Sequence, residues 1–278
     1  MDIDNLSNIP ESELGEHLFQ LLRDAALQHR YHYYPLDNGK NYLQVETSLQ
    51  QDNFLFHMRD AVSYREQCAL YHLRVLRNII NSHQRKAEED VIASMMSQSL
   101  LRNLGNEVMY VFDDLIFHSI SLFDYLANFL AYPFTEGAIK EESIKIKWNQ
   151  LVGRCKSKKD VIHRQTSYAA VVLQYHNSFV QLLANYRGNL YHFKNDFAPT
   201  EGSFHELEGT ANLRVGFPKR FLEIFEDDFK DADTSELTIL DASSWVYSQS
   251  IKIAIVLLQH FHLDVAKKNF VKINQQQE

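Results

Sequence analysis

The clearest hydrophobic pattern in the chain lies between Lys158 and Asp196. Apolar and aromatic positions recur there at alternating steps of four and three residues, which keeps them on one face of an α-helix because 3.6 residues make one turn. The stripe consists of Tyr168, Val172, Tyr175, Phe179, Leu182, Tyr186, Asn189 and Phe193. Val171 and Leu183 widen it. We therefore expect one long core-facing helix over residues 158–194.

Similar spacing predicts further helices before this segment. They cover residues 12–31, 48–83, 91–104 and 107–130. Ser12 is a candidate N-cap of the first one. Gly105 is expected to mark either a break or a weak point, and Pro133 a stop, since glycine weakens a helix and proline cannot continue one. The charged residues 84–90 form either a connection or a solvated stretch of helix.

The remaining pattern predicts shorter elements. In chain order they are an extended piece at 42–45, a helix over 141–152, a linker over 153–159, a long loop over 198–216 with a short strand at 213–217, and a brief helix over 218–229. Ser243 or Ser244 is expected to cap a final helix that ends at His262.

Together these patterns predict an all-α fold. We expect an up-and-down helical bundle with N- and C-terminal helical additions and a long loop after the main helix. Its core helices are predicted near residues 50–83, 91–131, 158–194 and 240–262, within domains that span residues 1–45 (extension), 46–265 (bundle) and 266–278 (disordered tail). With only 9 glycines and 5 prolines among 278 residues, the composition agrees with a mostly helical chain.

Charge and cysteine content narrow the function classes. The formal charge of −8 argues against a general nucleic-acid binder, so no DNA partner is expected, although one local basic site stays compatible with it. Two cysteines make no disulfide framework. The N-terminus is acidic and polar, and no apolar run approaches the roughly 20 residues of a membrane span. We expect a cytoplasmic protein without a membrane partner.

Standard cofactor and metal motifs are absent from the sequence. It contains no glycine-rich phosphate loop, no HExxH and no CxxC pair. The close histidine pairs, His29 with His32 and His260 with His262, lack an evident third ligand. We therefore expect no metal site and no cofactor.

The chemically distinctive element is the pair Arg187 and His192 near the end of the long helix, with four residues between them. Comparable spacings join Arg23 to His29, Arg65 to His72 and Arg77 to His83. The main rival is Arg77 with His83, because Asn78 directly follows that arginine and the pair also ends a helix.

The Arg187–His192 element resembles the Arg-x4–6-His signature of the HEPN superfamily of all-α domains, found in toxin, antiphage-defence and RNA-processing systems. The resemblance implies a homodimer in which arginine and histidine of two protomers meet and cleave RNA without a metal. It implies Arg187, Asn189 and His192 as catalytic residues, and RNA, a protein partner or an antitoxin as binding partners. The family usually has a polar residue directly after the arginine, whereas this chain has Gly188 there and Asn189 one place later.

Aromatic residues surround the motif. Tyr186, Tyr191 and Phe193 are of the kind that is enriched at protein interfaces, so we expect the end of the long helix to lie at the two-fold axis of the dimer.

One geometric condition on this site and one alternative to it stay open. On a straight helix, side chains five residues apart diverge by about 140°, so Arg187 and His192 converge only if the helix ends or bends at Gly188 or a second protomer supplies the partner. Otherwise Arg187 pairs with a nearby carboxylate and the protein is a catalytically silent module that binds RNA, a nucleotide or a protein. The central helix carries Asp113 and Asp114, as well as Asp124, which are expected on its solvated face.

Overall fold

The chain forms an all-α protein in which two short hairpins interrupt the series of helices. The computed structural model describes residues 6, 9–35, 42–46, 49–90, 98–134, 146–192, 196, 198–205 and 210–276. Most of these residues are helical, so the predicted fold class is confirmed.

The elements have the following bounds. The helices are α1 (Glu11–Arg30), α2 (Leu49–Asp90), α3 (Gln98–Ala131), α4 (Trp148–Lys156), α5 (Val161–Gln165), α6 (Tyr168–Tyr175), α7 (Gln181–His192), α8 (Lys219–Ile224), α9 (Glu226–Phe229) and α10 (Ile239–Gln276). A 3₁₀ turn, Tyr132–Phe134, follows α3, and a π-helical segment, His176–Val180, joins α6 to α7. The strands are β1 (Tyr31–Pro35), β2 (Tyr42–Glu46), β3 (Thr200–His205) and β4 (Thr210–Val215), which pair antiparallel as β1–β2 and β3–β4.

Gly105 lies inside α3, so of the two alternatives predicted for this residue the break is wrong. A Cβ at this position would approach Oγ1 of Thr200 to 2.8 Å. The missing side chain therefore lets the start of β3 come close to α3. Leu104 and Val108 on either side are fully buried, and their burial offsets the roughly 1 kcal/mol that a glycine costs within a helix.

The predicted single helix over residues 158–194 is divided into three. The first break lies before Tyr168, where the Asp264 carboxylate accepts hydrogen bonds from Ser167 N (2.7 Å), Ser167 Oγ (3.0 Å) and Tyr168 N (3.3 Å). A carboxylate from a distant part of the chain thus caps the first turn of α6. The π-helical segment then separates α6 from α7.

Two boundaries within helical stretches differ from the prediction. The charged residues 84–90 continue α2 and do not form a connection. Residues 153–156, predicted as a linker, belong to α4, whose apolar face is buried through Cys155. The predicted helical starts at residues 91–97 and 141–145 lie outside the described residues.

The last helix begins earlier and ends later than predicted. The backbone N–H and hydroxyl of Thr238 donate to Asp241 Oδ2 at 2.8 and 2.7 Å, so this pair, and not Ser243 or Ser244, starts α10. The helix continues past His262 because no glycine or proline follows it in the sequence.

The region predicted as a long loop, residues 198–216, instead holds the β3–β4 hairpin. The predicted strand at 213–217 overlaps the end of β4. Residues 218–229 form α8 and α9, two helices where one was expected.

The backbone contacts group the chain into two compact units. Unit 1 comprises Met1–Glu66, Ser121–Val180 and Gln249–Glu278; unit 2 comprises Gln67–Ile120 and Gln181–Ser248. The largest aromatic side chains in the core of unit 1 are Phe123, Phe129, Trp148, Tyr168 and Phe261. Those of unit 2 are Phe112, Tyr186, Tyr247, Phe221 and Phe225. The division at residues 45 and 265 stays a prediction.

One described helical stretch, Leu101–Phe134, is long and apolar enough to cross a membrane, with a mean hydropathy of 1.2. However, 61% of its most apolar window is buried inside the protein. Such burial is typical of a central helix in a soluble protein.

Candidate active site around Arg187

Arg187 lies on α7, and its guanidinium rests on an aromatic ring of α3. The Arg187 Cζ atom is 4.5 Å from the centroid of the Phe117 ring, a cation–π distance. The arginine side chain is 32% exposed. The ring therefore holds the guanidinium at the surface of unit 2, where it can still be reached by a ligand.

Asp113 is the acidic neighbour of Arg187. Its Oδ1 atom is 4.0 Å from Arg187 Nε, and neither atom makes a hydrogen bond within the described part of the chain. Burial raises the pKa of Asp113 above its usual value; the Arg187 guanidinium opposes this rise, and the Asp114 carboxylate adds to it. The contact is thus a long ion pair between two atoms that are shielded from solvent.

Two stacked histidines lie beside the same aromatic ring. The Phe117 and His118 rings are 5.1 Å apart, and His118 stacks on His72 of α2 at 5.0 Å with an interplanar angle of 22°. His72 Nε2 is 3.7 Å from Asp114 Oδ2. We call Arg187, Asp113, Asp114, Phe117, His118 and His72 the Arg187 cluster.

The hydrogen bonding of His72 defines its tautomer. Its Nδ1 atom is 2.9 Å from the carbonyl oxygen of Cys68, and a carbonyl only accepts, so Nδ1 carries the hydrogen. In the neutral ring Nε2 then presents a lone pair toward Asp114. The His72 ring is thus held between the Cys68 carbonyl and the Asp114 carboxylate.

A cavity of about 520 Å³ adjoins Asp113. Arg102, Asn106, Tyr110 and Thr200 supply polar groups to its wall, together with apolar side chains. Its volume falls within the range of small-ligand sites, about 300–1,000 Å³. The cavity offers room for a nucleoside-sized group next to the Arg187 cluster.

The other predicted catalytic residues, Asn189 and His192, lie on the same helix. α7 is continuous from Gln181 to His192 and does not end or bend at Gly188. The backbone therefore sets the directions of residues 187 and 192 about 140° apart. The side chains of Asn189 and His192 lie outside the described residues.

The rival pair, Arg77 and His83, diverges on α2. Arg77 Nη2 donates to Ser244 Oγ at 3.1 Å, whereas His83 Nε2 is 3.1 Å from Glu107 Oε2. The two side chains reach different helices, α10 and α3. This geometry argues against a joint catalytic role for the two residues.

Tyr186 belongs to the core and not to a surface. It is 1% exposed, and its hydroxyl donates to Asp196 Oδ2 at 2.9 Å. Burial, followed by the Asp196 charge, raises the pKa of Tyr186. The suggestion that this aromatic side chain faces a dimer partner is therefore wrong, whereas the side chains of Tyr191 and Phe193 lie outside the described residues.

Several groups that the sequence left open have structural roles. Asp124 Oδ1 accepts a hydrogen bond from Trp148 N at 2.9 Å and so fixes the start of α4. Among the residues the structure describes, no three His, Cys, Asp or Glu side chains lie close enough to hold a metal ion. Cys68 and Cys155 are free thiols.

Sequence reasoning missed the histidines of the Arg187 cluster. The i,i+4 spacing of Asp113 with Phe117 and of Asp114 with His118 already places these residues on one face of α3. The approach of His72 comes from a different helix, so no local pattern predicts it.

Comparison of the chain with protein-family models, with characterised proteins and with solved structures finds no match to any of the three.

Proposed function

We propose that this protein is a HEPN-like, metal-independent endoribonuclease of a toxin, defence or RNA-processing system in the cytoplasm. The observation that carries the proposal is the state of Arg187. Its guanidinium is held on the Phe117 ring, is partly exposed, and faces Asp113 only at 4.0 Å without a hydrogen bond. Since Nε is itself shielded from solvent, the two Nη groups are the donors that we expect to bind a phosphate, which arginine does with planar, charge-assisted hydrogen bonds.

The chemistry follows from the two residue types. His192 accepts the proton of a ribose 2′-hydroxyl, and the resulting oxygen attacks the adjacent phosphorus. The bond from phosphorus to the 5′-oxygen breaks, and this oxygen takes a proton from water. The products are a 2′,3′-cyclic phosphate and a 5′-hydroxyl end. Arg187 stabilises the negative charge that grows on the phosphoryl oxygens during the attack.

We further propose that each site is shared between two copies of the chain. Because α7 runs unbroken through Gly188, positions 187 and 192 of the helix backbone face directions about 140° apart. A second copy related by a two-fold axis supplies the missing histidine, as the HEPN resemblance implies. The continuous helix supports this arrangement over a site built within one chain.

The test is cleavage of a fluorescent single-stranded RNA by purified protein. Arg187→Ala and His192→Ala are each expected to reduce cleavage by about 10²- to 10⁴-fold, the usual contribution of a catalytic acid or base. The double variant Arg77→Ala/His83→Ala serves as the control and should cleave normally. Activity should persist in EDTA and leave a cyclic phosphate end.

A catalytically silent module that binds RNA, a nucleotide or a protein partner is the alternative function. The specific observation in its favour is the carboxylate beside Arg187, because Asp113 neutralises the charge that a phosphate requires. Gly188, in place of the polar residue of the family pattern, points the same way. Protein that binds RNA in low salt and never cuts it would establish this alternative.

A further inference from the structure

The charge of this acidic protein is distributed unevenly. Residues 147–164 contain six basic side chains and one acidic one, a net charge of +5, which leaves −13 for the rest of a chain whose total is −8. All of these residues are described and lie in unit 1. We call Lys147, Arg154, Lys156, Lys158, Lys159 and Arg164 the basic patch.

The fold turns this segment into a surface. α4 buries Trp148, Leu151, Val152 and Cys155 in the core of unit 1. Its opposite face and the start of α5 line an open, shallow cavity of about 630 Å³, to which Arg154 and Lys159 contribute charge. Val161 and Ile162 form an apolar part of its wall and are 45% and 41% exposed.

Within the described residues, no ion pair cancels the positive charge of the patch, although Asp160 interacts electrostatically with Arg154. Among the described residues, none of its six cations lies within 4 Å of a carboxylate. The one acid of the segment, Asp160, caps α5 by accepting from His163 N (3.1 Å), and its Oδ1 is also 2.9 Å from His163 Nδ1. Although burial raises the pKa of Asp160, these bonds lower it overall, so the carboxylate is held by His163 and not by the lysines.

We propose that the basic patch binds the phosphate backbone of single-stranded RNA. Clustered cations around a groove create the potential that attracts a polyanion, and they do so even on a protein that is acidic overall. The exposed Val161 and Ile162 side chains give unstacked bases an apolar surface to rest on. Single-stranded RNA offers both the phosphates that Arg154 and Lys159 attract and the bases that Val161 and Ile162 can contact, so it fits this surface better than a lipid headgroup does. The inference rests on the proposed function, in that it adds a substrate-docking surface to the RNA-cleaving protein.

The experiment measures binding of wild-type and variant protein to a 2′-O-methylated single-stranded RNA of about 20 nucleotides by fluorescence anisotropy. The 2′-O-methyl groups prevent cleavage, so binding is read alone. The test variant is Arg154→Glu/Lys159→Glu. The matched control is Arg85→Glu/Lys86→Glu, which also reverses one arginine and one lysine at exposed positions, on α2.

The test variant is expected to bind RNA about tenfold more weakly than wild type in about 50 mM salt, while the control changes little. The slope of log affinity against log salt should fall by about 1.4, since each phosphate contact contributes about 0.7 for a single strand. Arg154→Gln/Lys159→Gln gives a milder version if charge reversal disturbs α4, and circular dichroism checks its fold.

The outcomes separate the two proposals. Weaker binding by the patch variant supports the basic patch, whether or not unmodified RNA is cut. If the patch variant cuts and binds RNA as well as wild type does, the inference is overturned and the proposed endoribonuclease activity is unaffected. Equal losses in test and control variants also overturn it, because the effect is then one of total charge. Binding to phosphatidylserine vesicles without binding to RNA identifies the patch as a membrane surface and contradicts it as well.

Discussion

Arg187 Nε and Asp113 Oδ1 face each other at 4.0 Å, and neither atom makes a hydrogen bond within the described part of the chain. A well-formed arginine–carboxylate pair has two parallel hydrogen bonds at about 2.7–2.9 Å. The longer contact leaves two partly desolvated charges that attract each other without saturating their hydrogen-bonding groups. Under the proposed function, this unsaturated guanidinium is the group that binds the phosphate.

Replacing Asp113 with Asn should strengthen RNA binding, because the neutral amide no longer competes with phosphate for Arg187. Anisotropy with the 2′-O-methylated RNA measures the change, and we expect an affinity several-fold higher. Asp114→Asn is the control, since it removes the same charge from the neighbouring, more exposed position. An affinity that rises equally in both variants would indicate a general charge effect.

The same substitution should also change the pH dependence of stability. The pKa of Asp113 is raised in the folded protein, so this group favours folding more as the pH falls through its folded pKa. Asp113→Asn should therefore have a higher Tm than wild type at about pH 7.5, and the difference should shrink toward about pH 4. A difference that is constant across this range would contradict the raised pKa.

Single substitutions can show whether His192 is the base or whether His72 of the Arg187 cluster takes that role. With His192 as the base, His192→Ala should lose about 10²- to 10⁴-fold in cleavage rate. His72→Ala should retain most of the activity, because its Nε2 faces Asp114. The pH–rate profile of each variant provides the readout. The opposite pattern would assign the base to the Arg187 cluster itself.

Gly105 of α3 and Gly188 of α7 should respond oppositely to alanine. Among the described residues, no atom outside the backbone of α7 lies within 4 Å of a Cβ built on Gly188, so Gly188→Ala should stabilise the protein by up to about 1 kcal/mol. At Gly105 the new Cβ meets Thr200 Oγ1 at 2.8 Å, and Gly105→Ala should lose that gain or destabilise the fold. Urea unfolding measures both. Equal stabilisation of the two variants would show that β3 does not constrain α3 there.

Asp196 should be among the most sensitive polar residues of unit 2. It is buried and accepts hydrogen bonds from the Tyr186 hydroxyl and from Arg220 N and Phe221 N at the start of α8. Asp196→Ala leaves all three donors unsatisfied and should cost about 2–4 kcal/mol in unfolding free energy. Tyr186→Phe removes one donor only and should cost about 1 kcal/mol. Similar losses for the two variants would argue against the capping role.

The sequence predicted the elements that depend on local periodicity. The apolar stripes located the long helices, and Pro133 marked the end of α3. Features that depend on contacts between distant segments were missed. The break before Tyr168 requires Asp264, and the glycine at position 105 is explained by the close approach of Thr200, while burial of Leu104 and Val108 keeps α3 continuous there.

The candidate site shows the same contrast between features set by local periodicity and features set by contacts between distant segments. The motif spacing fits four Arg–His pairs, and the position of Arg187 at the end of a long amphipathic helix singled it out; its role in a site stays a prediction. The Phe117 ring, the carboxylate at 4.0 Å and the stacked histidines come from α2 and α3, and their approach depends on packing within unit 2. The apolar stripe predicts the burial of Tyr186, whereas its hydrogen bond to Asp196 depends on packing that no helical pattern shows.

The most direct test of the shared site is to mix two inactive variants. In a mixed dimer of Arg187→Ala and His192→Ala chains, one site combines an intact Arg187 with an intact His192, and the other site has neither. Random exchange makes half of the dimers mixed, so cleavage should recover to about a quarter of the wild-type rate. A mixture that remains as inactive as its components would contradict a site built from two chains.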